Sequence, residues 1–326
     1  MLRESPDHLR RAFQGRRVYV AGHRGLVGSA LVRALAPLDV RLVTRTSAEL
    51  DLRDQPATND FFRDERPEIV LFAAAKVGGI QANINAPAEF LYDNLAMATH
   101  AIEAAYRSGC KRFVFLGSTC VYPRMAPQPM SESALLTGEL EPTNEGYALA
   151  KIAGLKLCQY YRRQYGVTYH SIMPSNLYGP GDNYHPERAH VVASLIRRFH
   201  EAKEAARPSV VIWGTGRPTR ELLHVDDAAV AVLHIASLAD PPDWVNVGSG
   251  DEVSILELAR MVAEAVGFQD EVVTDPSRPD GMPRKAADAA LLRSTGWAPR
   301  IGLRDGLRDT YKAFLSERVH GALRST

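Results

Sequence analysis

Cysteine is scarce: three residues in 326, at 110, 120 and 158. That is too few for a disulfide scaffold, and no CxxC or other metal-ligand spacing joins them. No run of about 18 apolar residues occurs, so no transmembrane helix is expected. Residues 1–17, MLRESPDHLRRAFQGRR, are basic but lack the apolar run of about 7–15 residues that a signal peptide needs. An excess of one charge is missing as well, since 39 basic residues against 38 acidic ones leave a net +1. The chain has no general attraction to nucleic acid or anionic membrane, although a local basic pocket stays open. The basic residues at 197–203 are interleaved with Glu201 and form no nucleic-acid motif. Repeats and low-complexity tracts are absent. These absences point to a soluble, cytoplasmic protein without metal, nucleic-acid or membrane partners.

What is present is a core-forming composition, 45% apolar, with a regular alternation of elements. Strands are expected at 17–21, 40–44, 68–73, 112–116 and 168–173. Helices are expected at 29–38, ending at 66, and at 86–108 and 145–165. Strands alternating with helices of this length predict a parallel sheet covered on both faces. After Asn176 the pattern changes. Residues 177–186 are turn-rich, 191–205 helical, 210–213 a short strand, and 225–237 helical. A strand at 244–247 is followed by a helix at 254–266, with Ser254 and Glu257 spaced as a capping box. A strand at 272–275, a loop at 279–285 and a helix at 303–314 close the chain. The expected fold is α/β: a Rossmann-type parallel sheet with helices on both faces plus a smaller C-terminal α/β substrate lobe. Residues 15–178 would bind the cofactor, with segments near 225–248 returning to them, and 179–326 would mainly form the lobe.

Residues 22–28, GHRGLVG, form a GxxGxxG loop at the first strand–helix junction. Glycines there permit a tight turn and close approach to a pyrophosphate, which also meets the amides at the helix N-terminus. Gly22, Arg24, Gly25, Leu26, Val27 and Gly28 are therefore candidate cofactor residues. The second strand ends Leu42-Val43-Thr44-Arg45, without the acid that holds a ribose 2′-hydroxyl in NAD enzymes. Arg24 and Arg45 could both meet a 2′-phosphate, which favours NADP(H); alternatively, Arg45 is simply solvated.

Tyr147 and Lys151 form YxxxK in a helical stretch, so both side chains share one face. The ammonium is expected to lower the phenol from its reference pKa of about 10. Ser118 follows the strand at 112–116, at the carboxyl end where ligands collect, and could polarise a carbonyl. Thr119 offers the same hydroxyl, and either could be only a turn cap. Cys120 reads as a reactive thiol or a small buried filler. His190 reads as an acid–base group or a solvated helix cap.

These motifs resemble the extended short-chain dehydrogenase/reductase family. The likeness extends through AAAKVGGIQAN at 73–83, FLGSTCVYP at 115–123, EPTNEGYALAKIAG at 141–154, MPSNLYGPGDNYHP at 173–186, HVVASLIRRFHEA at 190–202, WGTGRPTRELLHVDD at 213–227 and PDGMPRK at 279–285. Within that family these segments are similar to members that epimerise GDP-4-keto-6-deoxy-D-mannose at C3 and C5 and reduce it at C4 with NADPH. The resemblance implies that Ser118, Tyr147 and Lys151 are the reductase triad and that Cys120 and His190 are the epimerisation base and acid. It sets Asp51 against the adenine and Arg24 against the 2′-phosphate. Lys151 would also hold the nicotinamide ribose. It places Asn176, Arg198, Trp213 and Arg220 around the nucleotide-sugar, with Asn176 counted among the cofactor residues too. Arg198 and Arg220 would hold a diphosphate, or else pair with Glu201 and Glu221 as surface ion pairs. It further implies a homodimer formed as a four-helix bundle by the two long helices. Two departures stand out. Gly146 replaces a common Pro and is expected to loosen the start of its helix, and the first dozen residues have no counterpart and are expected to be mobile.

Overall fold

The computed structural model describes residues 7–324 except 187 and 279. Among the described residues twelve strands run in chain order: β1 Arg17–Ala21, β2 Arg41–Val43, β3 Ile69–Phe72, β4 Arg112–Leu116, β5 Thr168–Pro174, β6 Asn176–Tyr178, β7 Ser209–Trp213, β8 Thr219–His224, β9 Trp244–Val247, β10 Glu252–Ser254, β11 Glu271–Asp275 and β12 Arg284–Lys285. The helices are α1 Asp7–Phe13, α2 Leu26–Leu35, α3 Gln55–Glu65, α4 Ile80–Asn85, α5 Pro87–Arg107, α6 Glu145–Tyr165, α7 Val191–Glu204, α8 Val225–Ser237, α9 Ile255–Val266, α10 Ala290–Ser294 and α11 Leu303–Val319.

Strands buried on both faces read as unbroken apolar runs. β3, IVLF, is buried at every position. Six strands form an all-parallel sheet in the order β2-β1-β3-β4-β5-β9, with β2 a mostly exposed edge strand. Alternate residues serve opposite faces. Val18, Val20, Ile69, Leu71, Val114 and Ile172 pack with α2 and α8, while Tyr19, Val70, Phe72, Phe113 and Phe115 pack beneath α5 and α6. Strand order reverses between β1 and β3, and ligands gather beyond the carboxyl ends at such a switch point.

The second body has its own core around α7, α9 and α11. Its strands are short: β10, β8 and β12 are neighbours, with β6 also on β8, and β7 pairs with β11. The capping box at Ser254 and Glu257 is present at the start of α9. Among the described residues no helix is long and apolar enough to cross a membrane.

Several sequence expectations are corrected. The first helix begins at Leu26 rather than 29, leaving 36–38 as a single 3-10 turn. Part of the expected loop at 279–285 is strand β12. Gly146 does not loosen α6. A Cβ there would stand 2.8 Å from the Pro87 carbonyl oxygen, so glycine lets α5 and α6 approach closely. Residues 1–6 lie outside the described residues, but 7–13 are helical and packed. Leu9 and Phe13 are buried against α8, with Phe13 0% exposed. Phe13→Ala should therefore destabilise the fold by about 3 kcal/mol, as deletion of a buried ring does. A urea midpoint equal to the parent's would mean that α1 adds nothing.

Candidate active site

The glycine loop has the shape a pyrophosphate needs. Gly22 takes φ +76°, and a Cβ there would lie 2.8 Å from the Ala74 backbone. At Gly28 a Cβ would fall 2.1 Å from the Gly22 carbonyl oxygen. Gly25 is the N-cap of α2 and no side chain caps that end. The first amides of α2, at Leu26, Val27 and Gly28, are thus left for a ligand. Arg24 is exposed and makes no hydrogen bond or ion pair among the described residues. Its charge and that of Arg45 both act on Glu49. These features fit a dinucleotide carrying a 2′-phosphate. Arg45 is already engaged, donating to Glu65 at 2.5 Å and to the Thr44 carbonyl at 2.8 Å. Asp51 is held by Arg53 through bonds of 2.7 and 3.0 Å, and this pair keeps its carboxyl below the usual range. Neither residue faces the loop as a free group.

Beyond β4 the chain turns at Ser118, whose Oγ accepts a 3.4 Å bond from the Cys120 amide. Ser118 is partly exposed whereas Thr119 is buried, so Ser118 is the hydroxyl open to a ligand. Lys151 is 4% exposed, and its Nζ donates to the Leu116 carbonyl at 2.7 Å. Nζ also lies 4.8 Å from the Phe115 ring centre and 5.6 Å from that of Tyr147. Burial pushes the Lys151 ammonium down to about 8. The Tyr147 phenol is raised rather than lowered, first by burial and then by the nearby Cys120. The expectation of a Lys-lowered phenol is thus corrected for this state. The ammonium is aimed at a carbonyl, and desolvation dominates. A neutral phenol is a proton donor, which is the form a carbonyl reduction requires.

Cys120 is 7% exposed, and burial pushes its thiol up against the pull of Lys285, Ser118 and Lys151. His190 occupies the N-cap of α7, but its side chain caps nothing. Its ring is open to solvent, yet surrounding protein, followed by the Lys285 charge, lowers its basicity. Arg198 donates to the Val211 carbonyl, and Arg220 to the Thr219 and Met282 carbonyls at 2.7 Å. Neither joins an ion pair among the described residues: Glu201 pairs with Arg197, and buried Glu221 accepts the amides of Gly250 and Ala287 at 2.8 Å. The surface ion-pair alternative is thereby removed. Trp213 is 66% exposed, with the Arg278 guanidinium 5.3 Å from its ring centre, a platform open to a flat partner. Asn176 donates to the Glu221 carbonyl at 2.9 Å and so joins β6 to β8.

Sequence reasoning missed Lys285, whose charge acts on both Cys120 and His190. Among the described residues no group of three or more His, Cys, Asp or Glu could hold a metal ion.

The description of the NAD dependent epimerase/dehydratase family matches residues 18–248. GDP-L-fucose synthase 1 of Arabidopsis thaliana is 54% identical over 300 residues, covering 92% of this chain and 93% of that protein. The GDP-L-fucose synthase of Escherichia coli (strain K12) is 52% identical over 310 residues, covering 92% and 96%. A GDP-L-fucose synthetase from Naegleria fowleri, solved bound to NADP, superposes with a TM-score of 0.86 at 27% identity, covering 95% of this chain and 97% of that one. A glycine cradle at the first strand–helix junction, Tyr147 and Lys151 one turn apart on α6, and likeness along almost the whole length agree: the chain belongs to the NAD dependent epimerase/dehydratase family, of extended short-chain dehydrogenase/reductase type, alongside the GDP-L-fucose synthases.

Proposed function

We propose that this chain converts GDP-4-keto-6-deoxy-D-mannose to GDP-L-fucose by epimerisation at C3 and C5 and NADPH-dependent reduction at C4. One observation supports the reading: Cys120 acts on Tyr147 and Lys151, and the Lys285 charge acts on both Cys120 and His190, which links the residues of a reductase triad with a separate thiol and imidazole. A plain 4-reductase or a non-catalytic cofactor binder has no use for both sets.

Cys120 removes the proton beside the C4 ketone and His190 returns one from the opposite side. Ser118 holds the C4 oxygen through both steps, where enolate charge develops. Tyr147 then protonates that oxygen. Lys151 fixes the turn after β4 through the Leu116 carbonyl and would hold the ribose. When bound, NADPH supplies the hydride. The amides at Leu26–Gly28 and the bare glycines would hold its diphosphate, and Arg24 its 2′-phosphate. Arg198 and Arg220 face the diphosphate of the sugar nucleotide, and Trp213 its base. The cofactor part is residues 15–178 with the returning 225–248, and the rest mainly serves the sugar nucleotide.

NADPH oxidation that begins only when the 4-keto sugar nucleotide is added tests the reading. No oxidation with that compound overturns it. Arg24→Ser should raise the KM for NADPH about tenfold or more and leave that for NADH nearly unchanged, because a charge-assisted contact is lost. Equal effects on both cofactors would remove Arg24 from the 2′-phosphate.

We also infer a homodimer in which α5 and α6 pack on their copies as four helices. Tyr92 and Tyr160 support this, being 68% and 53% exposed on those helices. Sedimentation equilibrium should give twice the chain mass. Three buried, unpaired cysteines suit a reducing cytoplasm.

A further inference from the structure

β9 is the last strand in the order of the six-stranded sheet. Asn246, in the middle of it, is 0% exposed. Its backbone N–H donates to Glu132 Oε1 at 2.9 Å, so a side chain stands where a further strand would otherwise be needed. Its side-chain amide is used on both ends. Nδ2 carries two protons, which go to the carbonyls of Met130 at 2.9 Å and Asp288 at 3.1 Å. Carbonyls only accept, so the amide cannot be turned over. Oδ1 is thereby left to the Tyr122 hydroxyl, which donates at 2.6 Å.

The two ends of this amide lead to different parts of the site. Tyr122, 3% exposed, closes the tight turn that begins at Ser118. The turn's own bonds are long. The Cys120 amide reaches Ser118 Oγ at 3.4 Å, the Val121 amide the Ser118 carbonyl at 3.2 Å, and the Tyr122 amide the Thr119 carbonyl at 3.4 Å. Bonds of that length hold weakly, and the 2.6 Å bond from the Tyr122 hydroxyl is the short one. The other end leads to the second body. The Met130 amide donates to the Ala286 carbonyl at 2.9 Å, and the Asp288 amide returns to the Met130 carbonyl at 2.8 Å. Between them the Ala287 amide donates to Glu221 at 2.8 Å, and β12 just before pairs with β8 at Thr219 and Arg220.

The geometry points to Asn246 as a positioning residue for both halves of the reaction: through Tyr122 it holds the turn bearing Ser118 and Cys120, and through Met130 and Asp288 it sets that turn against the strands that carry Arg220. Cofactor binding lies outside its reach, because β3, β4 and β5 stand between β9 and the glycine loop after β1. The effect on turnover rests on the epimerase–reductase reading above, so the test includes a measurement that needs no substrate.

Two variants each cut one end. Tyr122→Phe keeps the ring and removes the hydroxyl. Asn246→Asp keeps an acceptor for Tyr122 but turns an oxygen toward the Met130 and Asp288 carbonyls; Asn246→Ser, which removes both ends without adding charge, replaces it if the aspartate prevents folding. Amide hydrogen exchange is followed by mass spectrometry on the full chain. Tyr122→Phe should speed exchange at residues 120–122 about tenfold and leave the first turn of α2 at the parent's rate. With the 4-keto sugar nucleotide and NADPH, kcat for reduction and deuterium exchange at C3 and C5 should fall together by about tenfold, as misplacement of one shared hydroxyl requires. Asn246→Asp or Asn246→Ser should also raise the KM for the sugar nucleotide by about tenfold. The KM for NADPH should stay at the parent's value in every variant. Parent-like amide exchange at 120–122 in Tyr122→Phe would overturn the proposal, whatever the activity. Faster amide exchange with unchanged kcat and KM would leave Asn246 only holding the fold, and an equal rise in the KM for NADPH would do the same. If the parent neither reduces the sugar nucleotide nor exchanges its protons, the functional reading is wrong, and the amide exchange rates still decide whether Asn246 anchors the turn.

Discussion

Tyr147→Phe should lower reduction at C4 by about 10²–10⁴-fold, the usual worth of a positioned general acid. Proton exchange at C3 and C5 should continue. The phenol is one helical turn from Lys151 on α6, and that helix is held at its start by the close contact between Gly146 and Pro87. Burial keeps the phenol protonated, so it enters the reaction as an acid. Phenylalanine fills the same space without the proton, which separates chemistry from packing. NADPH oxidation measured beside deuterium wash-in resolves the two steps. A variant that still reduced at the parent's rate would move the acid elsewhere.

Cys120→Ser should have the complementary effect. Exchange at C3 and C5 should drop by about 10²–10⁴-fold, while an already epimerised 4-ketone is still reduced. Serine keeps the size and the hydrogen bond from the turn but offers no accessible anion near neutral pH. Cys120 lies two residues beyond Ser118, so both address the same carbonyl region. Unchanged deuterium incorporation at both carbons would leave Cys120 as the buried filler that its side chain could equally be.

Much of this was legible in the sequence, for identifiable reasons. Parallel strands buried on both faces must be continuously apolar, so RVYVA, IVLF and RFVFL announce themselves. The GxxGxxG loop and YxxxK pair are local patterns whose meaning depends on which strand they follow. The second body was less legible. β6, β10 and β12 have three, three and two residues, too short to carry a period, and β8 contains the polar run Thr219-Arg220-Glu221. Lys285 acquires its place on a strand opposite Arg220 only through pairing with β8, some 65 residues earlier in the chain. Partner choice was hidden too. Nothing in Thr44-Arg45 foretells Glu65, and nothing near Asp51 shows that Arg53 will occupy it. The direction of the Tyr147 shift also depends on burial, which residue spacing does not report.

The central claim is that one cleft both inverts and reduces the same sugar. Incubation of the parent protein with GDP-4-keto-6-deoxy-D-mannose and NADPH in deuterated water, followed by NMR of the product, tests it most directly. The account predicts GDP-L-fucose carrying deuterium at C3 and C5 and the cofactor's hydrogen at C4. A product reduced at C4 with protium retained at both neighbouring carbons would contradict it.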